Sequence, residues 1–231
     1  MNAAKLFLLS FAFLAVQIIH AQDVIQIKQE HIFFNARIDE RDYKLEGMIY
    51  RPDDNAAHPV IIMNHGRNGK SPSVNPNEVS NYADLCKAFA QEGFTVLLLV
   101  RRGYGASQGP DSELKTTAVD SGLEGAKDVQ AAILYMQQQS FVIPEKVVIA
   151  GQSQGGWVAL ACSAVRIRGV LGAINISGGT NYASMGPAAN SVKETPRLCY
   201  GYIRRMTGTT PRSGSRPCSS DSPNQGASVH C

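Results

Sequence analysis

The chain has 231 residues, 44% of them hydrophobic and 18% charged, which excludes a disordered or fibrous protein and is enough for one α/β domain with a sizeable core. The net charge of +3 is unevenly placed: residues 196–231 hold five arginines and one acid, Asp221, while the rest is close to neutral. Nothing in this distribution points to nucleic acid. The five cysteines show neither a disulfide framework nor paired Cys/His metal spacing; Cys86 and Cys162 fall in apolar helical stretches and read as buried free thiols, and Cys199, Cys218 and Cys231 lie near the C-terminus.

Residues 1–21 read as a secretory signal peptide. Lys5 supplies the positive start, Leu6 to Ile19 is apolar apart from Ser10 and Gln17, and Ala21 precedes the expected cleavage before Gln22. The run is short for a spanning helix, so the expected location is periplasmic or secreted, with no membrane contact after signal cleavage.

Short strands are expected at Val24–Ile27 and His31–Phe34. A second pair, Ala36–Asp39 and Tyr43–Tyr50, flanks the charged turn Asp39-Glu40-Arg41-Asp42. From Val60 the pattern changes to buried strands alternating with helices. Val60–Met63, Thr95–Val100, Val147–Ala150 and Gly169–Ile176 are apolar runs of the kind covered on both faces. Between them, Asn81–Gln91 puts Tyr82, Leu85, Cys86 and Phe89 on one helical face and is stopped by Gly93. Ser121–Gln139 repeats Leu123, Ala126, Val129, Ala132, Ile133 and Met136 at three- and four-residue spacing. Buried strands separated by helices imply a doubly wound, mostly parallel sheet, whose site lies beyond the C-terminal strand ends.

Three motifs fall at those ends. After the Val60 strand comes Asn64-His65-Gly66-Arg67, a turn that lets a backbone N–H, that of Arg67 being the one expected, face the site. His65 is expected to hold this loop rather than act as a base. After the Thr95 strand, Arg101-Arg102-Gly103-Tyr104-Gly105-Ala106-Ser107-Gln108-Gly109 makes a glycine-rich excursion; its paired arginines are read as tying loops to nearby acids in preference to binding a substrate carboxylate. The third is Gly151-Gln152-Ser153-Gln154-Gly155, between an apolar strand and a helix. Strand, sharp turn and helix make Gly-x-Ser-x-Gly a nucleophile elbow: the turn lifts the Ser153 hydroxyl above the strand end, and the Gln154 N–H faces the oxygen that gains charge in acyl transfer. A plain Gly/Ser turn is the competing reading of the pattern taken alone.

Together, the order and spacing of these three motifs resemble the α/β-hydrolase superfamily, with the nearest likeness to its dienelactone hydrolase and prolyl oligopeptidase-like branch, over about Tyr43 to Glu194. The resemblance implies a three-layer α/β fold, Ser153 as nucleophile and the N–H groups of Gln154 and Arg67 as oxyanion hole. It further implies hydrolysis of an ester, lactone or related acyl bond of a small molecule or peptide, without metal or cofactor. Such enzymes also need an acid and a histidine after the nucleophile, each behind a further strand. Beyond Ser153 the candidates are Glu194, Asp221 and His230. No apolar strand run precedes Asp221 or His230, and their spacing leaves no room for a helix and strand between them, so a Ser153–Asp221–His230 triad is not expected.

From Pro196 lysine disappears, and arginine, serine, proline and glycine dominate without hydrophobic periodicity. The reading frame is therefore expected to be lost near residues 195–197. This leaves a signal peptide at 1–21, an incomplete hydrolase domain at 22–195 lacking its last two strands, and an irregular basic tail at 196–231. A genuine disordered tail is the competing account. On the first reading the sheet ends in the Gly169–Ile176 strand, and the chain is either a hydrolase of doubtful activity, a non-catalytic binding protein of the same fold, or an inactive gene remnant. Oligomeric state leaves no mark in these motifs.

Overall fold

A computed structural model describes residues 25–67, 82–111, 118–165, 167–178 and 198–202, the last segment as backbone only. The chain opens with strands β1 (Ile27–Ile38) and β2 (Arg41–Pro52), paired antiparallel from Ile27 opposite Pro52 to Ile38 opposite Arg41. The expected strands His31–Phe34 and Ala36–Asp39 thus merge into one that starts at Ile27, the last residue of the expected Val24–Ile27 strand, and the connection is shorter than the expected four-residue turn. Only Asp39 and Glu40 leave the ladder, at φ 48° and 63°. A two-residue loop with both φ positive matches the right-handed twist of the flanking strands, so Arg41 and Asp42 are free to continue the pairing. Arg37 binds the Asp42 carboxylate at 3.1 Å and Glu40 at 3.0 Å, and Lys127 reaches Asp39 at 2.5 Å, which offsets the charge crowded at this tip.

Strand β3 (His58–Asn64) begins the alternating part. It is followed by helix α1 (Ala83–Gln91), β4 (Thr95–Val100), α2 (Ala118–Met136), β5 (Val142–Gln152), α3 (Gln154–Ala164), β6 (Val170–Ile176) and β7 (Leu198–Tyr202). The seven strands form one sheet in the order β1-β2-β4-β3-β5-β6-β7. β1 and β2 are antiparallel, and β4 through β7 run parallel to one another. All six β4 residues are buried, as a strand covered on both faces requires.

Two hydrophobic clusters sit on opposite faces of the sheet. One packs Phe34, Ile38, Leu45, Ile62, Leu97 and Ile149 against α2 and α3; the other packs Tyr50, Ile61, Met63, Val96 and Leu98 against Cys86 and Ala90 of α1. On α2 the buried stripe is Ala126, Val129, Ala132, Ile133 and Met136; Leu123, expected on it, is exposed. The helix also closes earlier than expected. Gln138 and Gln139 donate to the carbonyls three residues back, the tightened geometry of a last turn.

The sheet does not end at β6. Leu198–Tyr202, placed in the irregular tail by the sequence reading, lies parallel to β6, with Leu198 opposite Gly172 and Tyr202 opposite Ile176. An open strand edge offers a row of unpaired N–H and C=O groups, and tyrosine, present twice in this segment, is a residue type that favours strands. Residues 1–21, Glu194, Asp221 and His230 lie outside the described residues.

The topology fixes where a site can form. From β3 the chain crosses through α1 to β4 on one side, then through α2 to β5 on the other side of β3. The C-terminal ends of β3 and β5 therefore flank the point where strand order reverses, where parallel sheets leave a crevice.

Candidate active site

Ser153 stands at that crevice. It follows β5, is exposed, and has φ 52° and ψ −118°, a conformation rare for a residue with a side chain. The surrounding glycines explain how it is held. A Cβ on Gly151 would fall on the Gly155 backbone, and one on Gly155 would fall on the carbonyls of Asn64 and His65. The Ser153 N–H donates to the Ile176 carbonyl at 2.9 Å, and Trp157 closes the first turn of α3 onto the Ser153 carbonyl at 3.2 Å. The bend is thus locked by β6, by α3 and by the end of β3. Gln154 is the first residue of α3, so its N–H belongs to the helix-start donors that lack an intrahelical acceptor.

The loop after β3 lies against this bend. A Cβ built on Gly66 would come 3.3 Å from Ser153 Cβ and 3.2 Å from the Tyr82 hydroxyl oxygen. The Gly66 N–H donates to that hydroxyl at 2.7 Å. Arg67, the next residue, extends its guanidinium to Asp111 at 3.4 Å; the Asp111 side chain is buried. Beneath the loop, the Asn64 side-chain amide donates to the Ala150 carbonyl at 3.0 Å, stitching β3 to β5 just before the elbow.

His65 is buried and turned into the loop. Its Nδ1 lies 2.7 Å from the Gly66 carbonyl, and its Nε2 receives the Arg101 N–H at 3.2 Å. These contacts assign the tautomer: a carbonyl can only accept, so Nδ1 carries the proton and Nε2 is the acceptor. The 3.4 Å approach of the Arg101 guanidinium to Nδ1 is then a packing contact. Burial first, and the Arg101 charge second, hold His65 well below its ordinary 6.5. A histidine so committed holds a loop, and it is not aimed at the Ser153 hydroxyl. Among the described residues, no side chain hydrogen-bonds to that hydroxyl.

The arginine pair also serves the scaffold. Arg101 is wholly buried beside His65 and Tyr104, and Arg102 binds Asp128 at 2.5 Å while its N–H donates to the same carboxylate at 2.9 Å. Burial pushes the Asp128 carboxyl up, against the pull of Arg102. The rest of this loop is moored to β2. Ser107 accepts the Glu46 N–H at 2.8 Å and donates to the Val100 carbonyl at 2.6 Å, and Gln108 exchanges two hydrogen bonds with the Lys44 backbone. Tyr82 and Asp111 are the site residues that sequence reasoning missed. Neither sits in a motif, and each meets its partner only through the fold.

The profile of the serine aminopeptidase S33 family matches residues 56–217, more than half of the chain. The protein is an α/β-hydrolase of that family. Among curated proteins it is 32% identical over 130 residues to the quorum-quenching protein AidA of Acinetobacter baumannii, covering 56% of this chain and 39% of AidA. It is 29% identical over 130 residues to the thiohydrolase aneE of Aspergillus aculeatus, covering 55% of this chain and 36% of that protein. The chain therefore spans under two fifths of the length of these two relatives. Among solved structures, the α/β-hydrolase GrgF of Penicillium sp. sh18 superposes with a TM-score of 0.52 at 21% identity, over 72% of this chain and 53% of GrgF. That likeness is one of fold. Among the described residues of this hydrolase, no group of three or more His, Cys, Asp or Glu is placed to hold a metal ion, and no helix is long and apolar enough to cross a membrane.

Proposed function

We propose that this chain is the serine-hydrolase module of an exported enzyme, and that Ser153 attacks an ester, lactone, thioester or related acyl bond of a small molecule or peptide. The observation that carries the reading is the backbone of Ser153: a non-glycine residue at φ 52° between β5 and α3, with its hydroxyl exposed beside the Gly66 loop. Strain of this kind persists only where the surroundings enforce it. Here it lifts an oxygen over the crevice. In the reaction, Ser153 Oγ forms a bond to the acyl carbon while the C=O electron pair moves onto oxygen. The N–H groups of Gln154 and Arg67 receive that charge. Collapse restores the C=O and expels the leaving group with a proton, and water then cleaves the acyl-enzyme. Kinship with a thiohydrolase supports including thioesters among the substrates.

The hydroxyl proton must pass to a base, and His65 is excluded by its bonds to Gly66 and Arg101. That observation favours a second reading, in which this chain keeps the sheet and crevice and binds an acyl compound without turning it over. Rapid mixing with a p-nitrophenyl ester separates the two. A burst of nitrophenolate equal to the enzyme concentration, absent from Ser153→Ala, is expected for the hydrolase; saturable binding with no burst would establish the binding protein. Export is supported by the sequence of residues 1–21, and a mature N-terminus at Gln22 is the expected result of N-terminal sequencing.

A further inference from the structure

Two successive backbone N–H groups, those of Gly66 and Arg67, follow β3 next to Ser153, and only one can be aimed at a given point in the crevice. The contacts around Gly66 distinguish them. Its N–H is taken up by the Tyr82 hydroxyl at 2.7 Å, and its C=O is held by His65 Nδ1–H at 2.7 Å. Both peptide planes flanking Gly66 are thereby fixed. Because a trans peptide directs its C=O and the following N–H to opposite sides, pinning the Gly66 carbonyl onto His65 turns the Arg67 N–H away from that ring. The absent Cβ of Gly66 marks a point within 3.3 Å of both the Tyr82 oxygen and Ser153 Cβ, so the clamp operates at the nucleophile itself. Tyr82 immediately precedes α1, and the packing of that helix on Tyr50, Met63 and Leu98 anchors its backbone.

We propose that Tyr82 is a positioning residue of the Ser153 site: by engaging the Gly66 N–H opposite the carbonyl held by His65, it commits the Arg67 N–H to the oxyanion position. The assignment rests on the hydrolase reading of Ser153. Without the phenolic oxygen, the His65–Gly66 peptide loses its anchor and the Gly66 backbone can turn about its own φ and ψ, so that only the His65 bond still aims the Arg67 donor; the looser aim affects the transition state more than the ground state.

Tyr82→Phe keeps the ring and removes the acceptor. Its kcat on a p-nitrophenyl ester is expected to fall about tenfold or more, toward the loss seen when an oxyanion donor is deleted, with KM unchanged and the melting temperature lowered only by the few degrees that one lost hydrogen bond costs. Amide hydrogen exchange at Gly66 is expected to speed up in the same variant, and this readout needs no turnover. Unchanged Gly66 protection overturns the clamp. Ser153-dependent hydrolysis with kcat intact in Tyr82→Phe overturns the assignment alone. A wild-type chain without Ser153-dependent hydrolysis overturns the hydrolase reading, and the positioning role falls with it.

Discussion

Ser153 shows most directly how a single residue carries stored cost. A side chain at φ 52° and ψ −118° costs on the order of 1–3 kcal/mol, and the glycine-lined turn leaves it no other conformation. Ser153→Gly removes the Cβ at the strained position, and even after glycine's larger loss of chain entropy it is expected to stabilise the fold by about 1 kcal/mol. Ser153→Ala retains the Cβ and is expected to leave stability unchanged. Chemical denaturation of the two variants checks the difference, and equal midpoints would show that the turn is relaxed.

His65 gives the residue scale a pH dependence. Its folded-state pKa lies well below 6.5, through burial and then Arg101, so the unfolded chain takes up the proton first as pH falls. The stabilisation from neutral His65 is complete above about pH 6.5 and declines toward the lower folded-state pKa, by at most about 1.4 kcal/mol per pH unit. Unfolding free energies measured across the acid range should therefore be flatter for His65→Asn than for the wild type. Parallel curves would place the acid sensitivity elsewhere.

Between elements, α2 packs tightly on α3 through two glycines. A Cβ on Gly125 would come 2.7 Å from one methyl of Val158 and 3.3 Å from the other, and one on Gly122 would press on Trp157 and Ala161. Two effects oppose each other in Gly125→Ala. The helix gains about 1 kcal/mol of propensity, while overpacking a core contact costs about 1–3 kcal/mol. Val158 is fully buried and branched next to the contact, so it has little room to yield, and the clash is expected to win. A lower denaturation midpoint in Gly125→Ala is the expected outcome; a higher one would mean that α3 shifts freely. This helix pair carries the elbow, since α3 begins at Ser153's neighbour.

At the scale of the whole molecule, the sheet does by topology what no local sequence signal specifies. It brings the ends of β3, β4 and β5 together, so that residues distant in the chain form one crevice: Gly66 with Tyr82, Arg67 with Asp111, His65 with Arg101. The same scale explains β7. Its five residues have no periodicity that could stand out within an arginine- and serine-rich stretch, yet the β6 edge supplies a template for them. The family match likewise extends to residue 217.

What the sequence by itself determined are features governed by local physics. Apolar runs identified the buried strands Val60–Met63 and Thr95–Val100. Three- and four-residue spacing identified the face of α2 from Ala126 onward, and two glycines around a serine identified the elbow. Each is a constraint that a few adjacent residues satisfy on their own. Only the tertiary structure decided the two-residue hairpin turn, whose shape follows from strand twist, and the exposure of Leu123, which depends on where the covering layer ends. It alone decided the contacts of His65 with Arg101, Tyr82 with Gly66 and Asp111 with Arg67, because a polar contact between residues sixteen or more positions apart is set by which strand ends the sheet brings together.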